Sequence, residues 1–178
     1  TVIAADRWKL GQLAPHDRVR FVPVTAADAA AADLAPLERP VTDEPARDIA
    51  ALSPILATIP AQGARPRTVY RQQGDRNILV EYGPIVLDIE LRIRVHALMA
   101  ELERLALPGV IDIVPGIRSL QLHFDGRQLD QQGALALLMM AEESLGDLED
   151  FLAPSRIVHL PLSWRDPATI ETIEKYMG

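Results

Sequence analysis

From residue 67 onward two apolar periods alternate along the chain. Thr68-Val69-Tyr70-Arg71-Gln72 and Ile78-Leu79-Val80-Glu81-Tyr82 alternate in steps of two around the turn residues Gly74 to Asn77, the pattern of a β-hairpin. Gly83-Pro84 stops the second strand. Asp88 then precedes Leu91, Val95, Leu98, Leu102 and Leu105, spaced four, three, four and three apart, which predicts a capped amphipathic helix ended by Pro108-Gly109. Val110 to Val114 and Ser119 to Phe124 read as two further strands joined at Pro115-Gly116. A second helix is predicted from Gln131 to Leu148, with Leu135, Leu138, Met139, Glu142, Leu145 and Leu148 along one side. A strand over Arg156 to Leu160 follows, then a short helix over Ala168 to Met177 with Asp166 as N-cap and Pro167 at its first position. The order β-β-α-β-β-α-β predicts an α+β fold. It contains a ferredoxin-like β-α-β-β-α-β module with an added N-terminal strand, its antiparallel sheet carrying helices on one face.

The first 66 residues behave differently. They hold 8 of the 14 prolines and 16 of the 24 alanines, whereas residues 67–178 hold 17 of the 25 acidic side chains. Val19 and Phe21, with Arg18 and Arg20 between them, predict a short strand that Pro23 ends, and a lone strand needs a partner from elsewhere. Residues 25–66 read as a proline-stiffened linker. Its alanine run after Thr25 can form a short helix, and its prolines at 36, 40, 45, 54, 60 and 66 exclude long elements thereafter. Beginning at Thr1, the sequence reads as an excerpt from a longer protein.

Composition mainly excludes. With 178 residues, no cysteine and a net charge of −7, the chain has no thiolate chemistry or disulfide framework, and its acidity argues against nucleic acid as a partner. No apolar run is long enough for a membrane span, and the absence of cysteine suits a cytoplasmic setting. The histidines at 16, 96, 123 and 159 never fall at helical metal-pair spacing, so no metal is expected; His96, beside an apolar stripe, reads as a core-edge residue. No glycine-rich phosphate loop or Gly-x-Ser-x-Gly elbow occurs, and neither lysine lies in a Met-Lys-Met biotin-attachment context. The candidate chemistry is Arg118 and Ser119 at the start of a strand, where a guanidinium fork and turn N–H groups could meet a carboxylate, and His159 as a general acid or base. Both also have ordinary readings, Arg118 as a surface ion pair and His159 as a half-buried structural histidine.

Three ordered segments carry a resemblance: Tyr82-Gly83-Pro84 through Arg92-x-Arg94-Val95-His96, Pro115-Gly116-Ile117-Arg118-Ser119-Leu120, and Arg156-Ile157-Val158-His159-Leu160-Pro161-Leu162-Ser163-Trp164. Together they resemble the KipI-like domain, also called allophanate hydrolase subunit 1 or carboxyltransferase subdomain C/D, over residues 67–178. The run after His159 looks like the urea carboxylase and urea amidolyase branch, because the Tyr-Gly-Gly continuation of the stand-alone 5-oxoprolinase subunits is missing. Residues 11–24 look like the closing strand of a KipA-like partner domain. The implied organisation is 1–24 from that partner, 25–66 linker, 67–162 the KipI-like α+β domain, and 163–178 the start of a connection to a cyclophilin-like domain.

The resemblance implies carboxyl transfer from carboxybiotin to urea, giving allophanate. Biotin would sit on a carrier domain, and ATP and Mg would be used by a biotin carboxylase domain, both outside this sequence and on the same polypeptide. The resemblance points to no cofactor-binding residue within these positions, and this fragment alone is expected to be inactive. Guanidine is an alternative substrate. A KipI-like histidine-kinase inhibitor and a 5-oxoprolinase subunit are the alternative functions.

Overall fold

The structure is a computed structural model that describes residues 2–34, 53–146, 148–149, 151–153, 155–161, 163 and 166–178. Residues 35–52 of the anticipated linker, and Leu162, Trp164 and Arg165, lie outside the described residues.

Five strands form one sheet: β1 (Ile55–Ile59), β2 (Thr68–Gln72), β3 (Asn77–Tyr82), β4 (Val110–Pro115) and β5 (Ser119–Phe124). Their order is β1-β2-β3-β5-β4 and every neighbouring pair is antiparallel. The β2–β3 hairpin pairs Thr68 with Tyr82 and Tyr70 with Val80, which turns Tyr70, Ile78, Val80 and Tyr82 to one face, where they are fully buried. Leu120, Leu122 and Phe124 of β5 join them.

Two helices cover that face. Helix α3 (Ile89–Leu105) starts at Asp88, whose carboxylate accepts from the N–H groups of Glu90 at 2.8 Å and Leu91 at 3.4 Å. It buries Leu91, Val95, Leu98 and Leu102, the stripe the spacing predicts, and ends at Ala106 in a left-handed conformation. Helix α4 (Gln131–Ser144), capped by Asp130 onto the Gly133 N–H at 2.7 Å, buries Ala134, Leu137, Leu138 and Ala141. It stops before the expected Leu148, because Gly146 and Leu148 both take positive φ.

The split crossover of a ferredoxin-like fold is present: β3 leads through α3 to β4, and β5 fills the gap between them. Its last strand is not. Residues 155–160 are neither helix nor strand, and Ile157 and Leu160 are exposed. In a β-α-β-β-α-β unit the final strand lies antiparallel beside the first, and here β2 already holds that edge of β3.

Residues 18–22 join no ladder among the described residues and Phe21 is 74% exposed, so the strand expected there has no partner within them. The region before β2 corrects one further expectation. Within the anticipated linker, β1 forms between Pro54 and Pro60 and pairs with β2 as a short edge strand, a place where flanking prolines cost no ladder hydrogen bond. The alanine run does form a helix, α2 (Ala26–Leu34), with the Thr25 Oγ1 accepting from the Asp28 N–H at 3.1 Å.

Residues 2–34 also include a 3-10 turn (Ala4–Asp6) and the single-turn helix α1 (Arg7–Leu10). They dock on the β2–β3 turn, where the Ala4 N–H donates to Asp75 at 2.6 Å and Arg76 pairs with Asp33 of α2, and on the loop after β5, where Arg127 donates to the Asp33 carbonyl at 3.4 Å. Helix α5 (Pro167–Met177) has the expected cap. Thr169 donates to Asp166 from its backbone and its hydroxyl, and these bonds hold the Asp166 carboxyl down at about 2. Among the described residues no helix is long and apolar enough to cross a membrane.

Gly109 sits at φ +90°, and a Cβ there would lie 2.7 Å from the Leu129 Cβ; Gly63 sits at φ +58° with nothing within 4 Å. Gly63→Ala should therefore cost about 1 kcal/mol, the left-handed penalty alone, and Gly109→Ala more than about 2 kcal/mol, because strain and collision add. Urea denaturation midpoints of the two variants check the difference.

Candidate functional site

Alternation along β3 gives its last two residues opposite tasks. Tyr82 turns into the core, and Glu81 turns to the face that no helix covers among the described residues, in register with Ser119 of β5. Gln121 and His123 follow on that same face, where Gln121 donates to Asn77 at 3.0 Å.

The β4–β5 turn brings Arg118 to this point. It is tight: the Gly116 N–H donates to the Ser119 carbonyl at 2.7 Å, and a Cβ on Gly116 would lie 2.7 Å from the Ser119 Oγ, so glycine is required for the close approach. The Tyr82 N–H donates to the Arg118 carbonyl at 2.9 Å. In return one Arg118 nitrogen donates to the Tyr82 carbonyl at 3.2 Å and another to Glu81 Oε1 at 3.1 Å. The second oxygen of Glu81 accepts from Arg71 Nε at 2.9 Å.

Glu81 and Arg118 side chains are each 18% exposed, so the pair is sheltered but reachable. Two guanidiniums share one carboxylate, leaving one net positive charge at the end of the sheet. Arg118 uses two of its five N–H groups on described residues. The Ser119 hydroxyl makes no hydrogen bond to a described residue. Donors of this kind suit a carboxylate or a carbonyl oxygen.

Of the three residues singled out from sequence, Arg118 and Ser119 thus stand together. His159 lies in the exposed segment after α4 and forms no hydrogen bond or ion pair with either of them. His96 packs edge-on against Phe151, ring centroids 6.2 Å apart. Among the described residues no group of three or more His, Cys, Asp or Glu could hold a metal ion.

Sequence reasoning passed over Glu81 and Arg71. Both occupy outward positions of one predicted hairpin, two residues out of direct register, and that diagonal was the available signal.

Beneath the site lies a second polar cluster. Arg94 of α3, 3% exposed, donates from Nε to Glu142 Oε1 of α4 at 2.7 Å and from a terminal nitrogen to the same oxygen. It also donates to the Gly146 carbonyl at 3.2 Å and lies 5.9 Å from the centre of the Tyr82 ring. The Tyr82 hydroxyl donates to the other oxygen of Glu142. Glu142 on an otherwise apolar helix side was the sequence signal for this buried pair.

The carboxyltransferase domain, subdomain C and D, matches residues 68–176. The chain belongs to that family. It is 29% identical over 182 residues to the urea amidolyase of Saccharomyces cerevisiae, covering 97% of this chain and 10% of that protein. The crystal structure of the K. lactis urea amidolyase superposes with a TM-score of 0.68 at 32% identity, covering 81% of this chain and 9% of the other. The Kluyveromyces lactis urea carboxylase structure gives 0.67 at 32%, covering 81% and 14%. The chain therefore spans between about a tenth and a sixth of the curated relatives it matches. Within the carboxyltransferase subdomain match fall Arg71, Glu81, Arg94, Arg118, Ser119, Glu142 and His159.

Burial, and then the nearby Glu142 charge, push both the Tyr70 and the Tyr82 hydroxyls far above their ordinary value. In the unfolded chain these protons leave near pH 10. A raised folded-state value contributes stability present below that pH and lost as pH rises through it and beyond. Stability should thus fall above about pH 10, with the phenolate absorbance of Tyr70 and Tyr82 appearing together with the loss of circular dichroism, checked by alkaline titration. Arg94→Met should cost about 3–5 kcal/mol at neutral pH, because Glu142 then lies buried without its counter-charge; denaturant titration measures it.

Proposed function

We propose that this chain is the subdomain C and D portion of the carboxyltransferase of a biotin-dependent urea carboxylase, and that Arg118 and Ser119 bind the carboxyl group transferred to urea. The observation that carries this reading is the Arg118 guanidinium, held by Glu81 and the Tyr82 carbonyl with further N–H donors to spare. Membership of the carboxyltransferase family and the likeness to urea carboxylase and urea amidolyase support it. The docking of residues 2–34 on the β2–β3 turn supports reading residues 1–24 as part of an adjoining KipA-like carboxyltransferase domain on the same polypeptide. On this reading the biotin carrier and the ATP- and Mg-using biotin carboxylase lie elsewhere in that polypeptide, in the cytoplasm.

The donor set fits the chemistry expected here. Biotin, when bound, supplies an activated carboxyl group. The chain's own residues bind and orient: Arg118 offers planar N–H donors to a carboxylate, and the Ser119 hydroxyl adds one more beside it. Sheltering by the sheet strengthens these bonds relative to open water. His159 is the proposed general acid or base for the nitrogen proton, and domain movement would have to carry it to Arg118 and Ser119.

The test uses the full polypeptide that carries this chain. ATP hydrolysis should depend on urea, and Arg118→Ala should lower kcat/KM for urea about a hundredfold. ATP turnover indifferent to urea overturns the function. Unchanged kcat/KM in the variant overturns the site.

A further inference from the structure

One side chain of the proposed site, Glu81, joins its two arginines. Glu81 spends one carboxylate oxygen on Arg118 at 3.1 Å and the other on Arg71 at 2.9 Å. Arg118 is anchored a second time, on the Tyr82 carbonyl at 3.2 Å, so two bonds from adjacent residues of β3 fix the plane of its guanidinium. Arg71 is more open, with a side chain 38% exposed against 18% for the other two. No other acidic residue pairs with either arginine among the described residues.

The charge of the group follows from this arrangement. Arg118 alone beside Glu81 would form a neutral pair with weaker attraction for an anion. Arg71 on the far oxygen restores one positive charge, which matches one carboxylate and falls short of a doubly charged phosphate. Neutral urea gains little from a net charge. We propose that Glu81 is the positioning residue of this site, clamping Arg118 in one orientation while Arg71 completes a monocationic clamp for a single carboxylate. The clamp thereby serves the carboxyl side of the transfer rather than the urea side. This inference rests on the carboxyl-binding role given to Arg118 above.

The experiment is steady-state urea-dependent turnover in the full polypeptide, with Glu81→Gln, Arg118→Ala and the double variant. A positioning role predicts that Glu81→Gln lowers kcat about ten- to a hundredfold while the KM for urea stays within about twofold. It also predicts that the double variant is no worse than Arg118→Ala alone, because nothing is left to position. Glu81→Asp should recover part of the loss, and Arg71→Gln should lower kcat about threefold, since the clamp holds but its net charge is gone. Thermal midpoints check that each variant is folded; should Glu81→Gln not fold, the Glu81→Asp and Arg71→Gln values decide by the same criterion. Losses that multiply in the double variant, an unchanged kcat, or a raised KM for urea at constant kcat would overturn the inference. A harmless Arg118→Ala instead overturns the reading beneath it.

Discussion

The hydrogen-bond ladders on both edges of β3 hold the molecule in its present form. With β2 on one side and β5 on the other, β3 has no free backbone donors for a further strand, and the hairpin turn, the α3 crossover and the β4–β5 turn are all arranged around it. Its two faces then separate the two kinds of interaction. Ile78, Val80 and Tyr82 close the core under α3 and α4, and Asn77, Leu79 and Glu81 build the uncovered face. A shift of one residue in register would exchange these sets, burying Glu81 and exposing Tyr82.

The end of β3 also couples the site to the core. Tyr82 contributes its backbone carbonyl to Arg118 and its hydroxyl to Glu142, and Glu142 in turn is held by Arg94. A buried ion pair is weak evidence of stability, because desolvation offsets most of the Coulomb attraction. Its effect here is better described as alignment: Arg94 lies on α3 and Glu142 on α4, so the pair ties the two helices to each other and both to one strand. The guanidinium at the sheet's end is therefore placed by the strand, and the strand by the packed helices behind it.

That arrangement explains why so little chemistry is self-contained in this chain. Arg71, Glu81 and Arg118 together carry one net positive charge, and the spare Arg118 N–H groups and the Ser119 hydroxyl stand beside it. His159 lies elsewhere, in an exposed segment that joins no sheet. The chain itself matches one carboxyltransferase family over residues 68–176 and relatives many times its length.

Local pattern determined the elements whose partners are near in sequence. The β2–β3 hairpin, the α3 stripe from Leu91 to Leu102, the caps at Asp88 and Asp166 and the β4–β5 turn all follow from residues a few positions apart, and so does the placement of Arg118 beside Ser119. Tertiary structure decided what depends on competition for a shared edge or on charges distant in the chain. Residues 156–160 have a strand's alternation and form no strand, because β2 occupies the edge they would need. Residues 55–59 lie between prolines and do form one, because β2 offers them its other edge. The pairings of Glu81 with Arg118 and of Arg94 with Glu142 cross 37 and 48 residues of chain. Only the register of β3 against β5 and the packing of α3 on α4 bring those charges within reach, since a pattern of periods records which face a residue prefers and not which distant residue will stand opposite it.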